Sequence, residues 1–270
     1  MNHLDANKLL SNRQYGFRKG RSTMLQLLKV LDDWTNSLEK GRQINVVYTD
    51  FEKAFDKVPH KRLIEKLRGY GVRGDLLNWI AAFLADRRQR VRVNGKYSGW
   101  SRVISGIPQG SILGPLLFVI YINDLPEILE GRAAIALFAD DAKIYGEVME
   151  RSDVEIMQGV VDDVDSWCRT WMIKINSAKC KAMTMGGRQN KILCELNMDS
   201  AGQRCALEQV AEIRDLGVLF DMDLTFEEHI NEKINKAYSM LGIIKRNFKY
   251  LDEKSFVMLY KSMVRSHLEY

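Results

Sequence analysis

Four prolines and four cysteines are all that this chain carries of either residue across 270 positions. So little proline excludes a proline-rich linker, and no low-complexity segment or internal repeat is visible. The cysteines stand at 168, 180, 194 and 205, with no CxxC pair and no zinc spacing. A reduced, intracellular protein with buried thiols fits that pattern; a zinc module or a small disulfide scaffold does not. The longest notable apolar run, GPLLFVIYI at 114–122, falls far short of the roughly 20 residues that a membrane-spanning helix needs. The opening MNHLDANKLL lacks the basic and apolar regions of a signal peptide. What remains is an ordinary globular composition, 46% hydrophobic and 28% charged, long enough for one large domain or two subdomains.

Charge is distributed unevenly. Residues 1–100 carry 20 Lys+Arg against 10 Asp+Glu, a net of +10; residues 101–170 carry 5 against 12, a net of −7. Residues 171–270 carry 15 against 13, a net of +2. A basic first third suits a polyanion, either a nucleic acid or a nucleoside triphosphate. The acidic middle would repel phosphate unless divalent cations intervene.

Apolar periodicity sets out the elements. NVVYTDF (45–51) is β-branched and aromatic and reads as a buried strand ending at Asp50. HKRLIEKLRGYG reads as an amphipathic helix with Leu63, Ile64 and Leu67 on one face and a glycine stop. DLLNWIAAFLADR reads as a second helix, QRVRVNGKYSGWSRVI as a hairpin around Asn-Gly, and LLFVIYINDLPEIL as one apolar helix. AAIALFADDAKIYGEV makes two strands joined at its acids. A long helix over about 152–171 follows, with short strands near 173–176, 181–185 and 213–220. The tail from about 224 to 265 is helical, with Ile230, Ile234, Ala237, Met240 and Leu241 at helical spacing. The architecture expected is an α+β palm with a helical subdomain beginning at its end.

Asp140 and Asp141 stand side by side within the apolar FADDAKIY. Either they form an ordinary hairpin turn, or they are kept near the core for chemistry. Burying carboxylates costs several kcal/mol each unless something cationic meets them. If the strand ending at Asp50 neighbours this hairpin, three carboxylates converge. Carboxylate oxygens are hard ligands of the kind Mg²⁺ selects, and a pair of such ions roughly 4 Å apart activates a 3′-hydroxyl and stabilises departing pyrophosphate.

QYGFRKGRST, VVYTDFEKAFDKVPH, SGIPQGSILGPLLFVIYINDLP, FADD, INSAKCKAM and DLGVLF occur here in the order of the reverse transcriptase motif series. Over about residues 12–225 the chain resembles the reverse transcriptases of non-LTR, LINE-type retrotransposons, of the jockey-like branch. The resemblance implies a right-hand polymerase: fingers and palm over 1–225, N-terminally incomplete, then the truncated start of a helical thumb over 226–270. It implies an RNA-directed DNA polymerase that extends a DNA primer with dNTPs on an RNA template. Two Mg²⁺ ions would serve it, with Mn²⁺ as a substitute, and the protein would work in a cytoplasmic ribonucleoprotein and in the nucleus, with no membrane partner.

It also assigns residues. Asp50 and Asp140 would be the main metal ligands and Asp141 the third acid. The Phe51 backbone would meet the triphosphate, and Phe55 would lie under the sugar as a steric gate, unless it is simply a core aromatic. Asp56 matches the motif as a structural hydrogen-bonding residue. Gln109 and Gly110 would lie beside the incoming nucleotide, or serve only as turn punctuation. Arg18 and Arg21 match the stretch that closes on the triphosphate, Arg21 being preferred for its planar grip on phosphate; a solvated basic loop is the alternative. Lys179 would protonate pyrophosphate or be a plain surface lysine. Leu216 and Gly217 match the primer grip or lie in a core strand. With no endonuclease segment before it and no cysteine-rich tail after it, the chain reads as a core fragment. A catalytically inactive RNA-binding remnant of the same fold is the competing function; an intron-encoded enzyme is disfavoured, because no maturase-like segment is seen.

Overall fold

The structure is a computed structural model that describes residues 2–187, 192–200 and 203–269. The chain divides into two compact units, residues 1–210 and 211–270.

A five-stranded sheet organises the first unit, in the spatial order Glu208–Gln209, Lys181–Met185, Gln43–Thr49, Asp141–Val148, Ala134–Phe138. Its central strand, QINVVYT, is buried on both faces, which is why it reads as a continuous β-branched run rather than an alternation. It pairs antiparallel with the strands on either side, Thr49 opposite Ala142 and Val47 opposite Ala182. One face carries Val47, Ala142, Ile144, Ile135 and Leu137 into the core with Met157, Val160 and Val164 of the helix Arg151–Trp171. The other face meets the helix Thr23–Glu39, whose Trp34 packs edge-on against Tyr145 at 5.9 Å and whose Ser37 hydroxyl donates to Glu147 at 2.7 Å.

That helix is an element beyond those expected from the sequence. Its start is capped by Ser22, whose hydroxyl accepts from the Leu25 N–H at 3.2 Å, but Met24, Leu25 and Leu28 remain exposed, so its apolar residues form no clean stripe. The expected single helix LLFVIYINDLPEIL is instead two pieces. The helix Leu113–Ile122 stops before Asn123-Asp124, and a 3₁₀ turn, Leu125–Leu129, follows with Pro126 in its first turn. The break is held by polar contacts that a continuous helix would not permit. Asn123 accepts from the Ser11 N–H at 2.8 Å and donates to the Leu9 carbonyl and the Tyr70 hydroxyl. Asp124 accepts from Lys66 at 2.6 Å and from the Trp167 indole at 3.1 Å.

Lys66 lies on the helix His60–Gly69 and is only 6% exposed. Its ammonium also reaches the Tyr121 carbonyl and sits 3.7 Å from the Trp171 ring centroid. Burial outweighs the attraction of Asp124 and brings its pKa down to about 8.

The stretch expected as a strand near 173–176 pairs only through an isolated bridge between Ile175 and Phe51. The hairpin expected around Asn94-Gly95 is present as two short ladders, Arg88–Gln89 with Ser101–Arg102 and Arg92–Val93 with Lys96–Tyr97. Cys168, Cys180 and Cys194 are buried and Cys205 is exposed.

In the second unit a hairpin, Glu212–Asp215 with Val218–Asp221, precedes the helix Glu227–Asn247. The expected single helical run breaks after Asn247. It resumes at Glu253–Leu259 and passes into a π turn, Tyr260–Arg265, where Val264 packs with Ala237 and Ile244. Ile230, at the start of the stripe, is 52% exposed. No described helix is long and apolar enough to cross a membrane.

Candidate active site

Two distant segments bring the acids to one end of the sheet. The central strand ends at Thr49, paired with Ala142, so one further step sets Asp50 level with Asp141. Phe138 pairs with Asp141, leaving Ala139 and Asp140 as a two-residue turn. Asp50 is anchored by its backbone: its N–H donates to Cys180 Sγ at 3.4 Å and its carbonyl accepts from Asn176 at 2.8 Å. Lys179, mostly exposed, holds its ammonium 3.9 Å from Asp50 Oδ2. Burial pushes the Asp140 carboxyl above the ordinary range, and the negative charge of Asp50 pushes it further. Asp141 is exposed, at the solvent edge of the hairpin.

The turn itself is strained. Ala139 has φ 54°, the left-handed region that the first residue of such a turn normally reserves for glycine. A residue outside the expected set holds it there. The carboxamide oxygen of Gln14, 1% exposed, accepts from the N–H of Ala139 at 3.0 Å and from that of Gly16 at 2.7 Å. The segment around it lies along the outer strand of the hairpin, Tyr15 N–H donating to the Leu137 carbonyl at 2.8 Å and Leu137 N–H to the Arg13 carbonyl at 2.9 Å. A Cβ at Gly16 would stand 2.4 Å from the Ala139 nitrogen, so only glycine allows this approach.

A second group forms around the PQG loop. Gln109 donates to Asp56 Oδ1 at 2.9 Å, and the loop is tied to the segment after Asp50 by Ile107 N–H to the Phe55 carbonyl and Gly106 N–H to the Val58 carbonyl, both 2.8 Å. Gly106 has φ 88°, and a Cβ there would meet the Asp56 backbone at 2.5 Å. Phe55 is half-buried, stacked on Phe118 at 4.3 Å with Phe17 edge-on at 6.4 Å. The Phe51 side chain is in the core, and Gly110, at φ 78°, is open to solvent.

The basic stretch is split. Arg18 donates to the Leu10 and Ser11 carbonyls, at 3.3 and 2.7 Å. Arg21 lies 4.7 Å over the Tyr15 ring, beside a cavity of about 470 Å³ shared with Arg13 and Lys29, whose floor is Ile135, Ala136 and Tyr145 rather than the acid turn. Leu216 and Gly217, with φ 45° and 91°, form the turn of the hairpin in the second unit.

Residues 1–251 match the family profile of reverse transcriptase (RNA-dependent DNA polymerase). The chain belongs to the reverse transcriptase family. This reverse transcriptase chain is 31% identical over 273 residues to the RNA-directed DNA polymerase from mobile element jockey of Drosophila funebris, covering 95% of the chain and 28% of that relative. It is 28% identical to the probable RNA-directed DNA polymerase from transposon X-element of Drosophila melanogaster, over 99% of the chain and 30% of the relative. The chain thus spans under a third of the length of these curated relatives. Among solved structures it is similar to telomerase from Candida tropicalis in complex with a fragment of telomeric RNA, with a TM-score of 0.58 at 12% identity over 98% of the chain and 44% of that structure. The expected α+β polymerase fold and the non-LTR kinship are both met.

The acids can be tested against a divalent cation. Among the described residues no three His, Cys, Asp or Glu side chains close into a group ready to hold a metal ion. The donors still suit one: Asp50 and Asp140 offer hard oxygens, and a bound cation would offset both the burial and the Asp50 charge that raise Asp140. Sequence reasoning did not reach Gln14, although QYGF carried part of the resemblance. Its signal was present in a Gln two residues before a Gly, but the partner turn lies 125 residues away.

Proposed function

We propose that the chain is the fingers-and-palm core of an RNA-directed DNA polymerase over residues 1–225, with the start of its thumb from 226 onward. The observation that carries this reading is the register that sets strand-ending Asp50 beside the Asp140–Asp141 turn. Asp50 and Asp140 would hold the divalent cations, Mg²⁺ or Mn²⁺, with Asp141 as the outer acid. Bound there, the cations would supply charge neutralisation for the triphosphate and activation of the primer hydroxyl.

The chain's own residues supply positioning. Gln14 holds the acid turn in its strained form, so the carboxylates need not reorganise on substrate binding. Phe55, wedged between Phe17 and Phe118, would present a rigid ring to the sugar of the incoming nucleotide. Gln109, oriented by Asp56, would face the nucleotide and templating base, and Lys179 beside Asp50 would offer a proton to pyrophosphate. Arg18 is engaged with backbone carbonyls, so of the two arginines Arg21, now over the Tyr15 ring, would have to swing toward the acid turn to meet the triphosphate. Leu216 and Gly217 would support the primer.

Primer extension on an RNA template with dNTPs tests this directly. Asp140→Asn should lower extension by roughly 10³-fold or more. Its melting temperature should equal or exceed the parent's, because an amide carries none of the charge that burial and Asp50 disfavour. Mg²⁺ should raise the parent's melting temperature and not the variant's. Extension within tenfold of the parent's would refute the assignment.

A further inference from the structure

The hairpin arm between Asp86 and Ser105 packs little of itself into the core. From 86 to 102 it carries six cations and one acid, Asp86. Its large apolar side chains point outward, with Trp100 59% and Ile104 84% exposed and Val91, Val93 and Tyr97 also exposed. They also meet cations. The Arg90 guanidinium carbon lies 3.8 Å from the Tyr97 ring centroid and 4.5 Å from that of Trp100, with Arg92 5.4 Å from Tyr97. Exposed rings and guanidinium groups thus lie side by side on a protruding ribbon. The base of the ribbon is fixed by Arg87, which donates to the Gly106 carbonyl at 2.7 Å. From there a cavity of about 780 Å³, lined by Arg88 and Arg102 among others, runs to Gln109.

We infer that this arm binds single-stranded RNA, taking the unpaired strand along that face and passing it toward Gln109. The inference rests on the polymerase reading for the identity of the strand, but not for the contact. Crowded cations call for a polyanion, and exposed rings beside them call for one with accessible π faces. Unpaired bases meet both needs, while a duplex hides its base faces within the stack. An acidic peptide would satisfy only the charge.

The test is fluorescence anisotropy of the whole protein with a labelled, unstructured RNA 20-mer and with the same sequence as a duplex. Trp100→Ala and Tyr97→Ala should each weaken single-strand binding roughly tenfold or more, leave duplex binding unchanged and leave the salt slope intact. Trp100→Phe should retain most of the affinity. Arg88→Gln with Arg92→Gln should instead flatten the single-strand salt slope by about 1.4, near 0.7 per phosphate contact. Melting curves identify any variant that merely misfolds, and the two aromatic positions provide independent readings. Single-strand affinity unchanged in both alanine variants, or equal losses on the duplex, would overturn the proposal. So would a parent dimer in sedimentation that Trp100→Ala dissolves, since the occupant would then be a second copy. Binding is read without catalysis, so a chain that holds RNA through the arm yet extends no primer would refute the polymerase reading and uphold this one.

Discussion

Replacing Lys66 by Met removes a buried cation from a box of Tyr121, Trp167, Trp171 and Asp124, and the structure fixes how the effect must vary with pH. The folded-state pKa is about 8 against 10.5 for an unperturbed lysine. A lysine with a depressed folded pKa costs stability while both states are protonated. The cost is relieved as pH rises through the folded value, because the unfolded chain then holds more protons. Integrating from pH 7.5 to 9.5, this one group stabilises the parent by about 2 kcal/mol. The parent's own curve will not display that gain cleanly. Cys180, pushed up to about 11, Cys168, pushed higher still, and the buried Tyr121 and Tyr145 ionise more readily in the unfolded chain and pull the other way. The difference between parent and Lys66→Met cancels those shared contributions. Urea unfolding of both proteins at several pH values across this range should show the parent gaining about 2 kcal/mol relative to the variant. A difference that stays constant to within about 0.5 kcal/mol would refute the linkage between Lys66 protonation and folding.

Two further perturbations address the site. Gln14→Ala leaves the Ala139 and Gly16 N–H groups buried without their acceptor, so unfolding free energy should fall by about 1–3 kcal/mol; primer extension, measured well below the variant's melting temperature, should fall more than the folded fraction does, and activity that merely follows the folded fraction would make Gln14 only a stabilising residue. Phe55→Val should leave dNTP use largely intact and raise rNTP incorporation roughly 10²-fold in kcat/KM if the ring excludes a 2′-hydroxyl; a lower melting temperature with unchanged nucleotide selectivity would assign Phe55 to its stack on Phe118 instead.

The parts of this molecule that were legible in its sequence are those specified locally. The central strand and the acid hairpin announce themselves because apolar runs end at carboxylates, and the Arg151–Trp171 helix because its stripe is long. The helix Thr23–Glu39 was harder to read because its outward Met24, Leu25 and Leu28 blur the stripe that Val30 and Trp34 begin. The interrupted helix before Pro126 was hidden for the opposite reason: its residues are apolar on all sides, and the contacts that break it reach to Leu9, Ser11 and Lys66. At the site, the acids could be found by residue type, whereas the employment of Arg18 by two carbonyls and the clamp made by Gln14 depend on partners that no local pattern predicts.

The lining of the acid turn by the 13–16 segment also sets a timetable. Gln14 and Ala139 are 125 residues apart, so the contact closes a long loop and forms only once the Ala134–Phe138 strand has been made and paired. As the chain emerges from the ribosome, the early segment must wait through the synthesis of a strand, five helices and the arginine-rich ribbon before its partner exists. Once made, Ala134–Phe138, apolar and largely buried in the finished sheet, presents its outer hydrogen-bonding edge to other chains until the 13–15 segment covers it. The acid-bearing turn therefore acquires its clamp by a long-range closure rather than from its own local sequence, after the Ala134–Phe138 and Asp141–Val148 strands have been made.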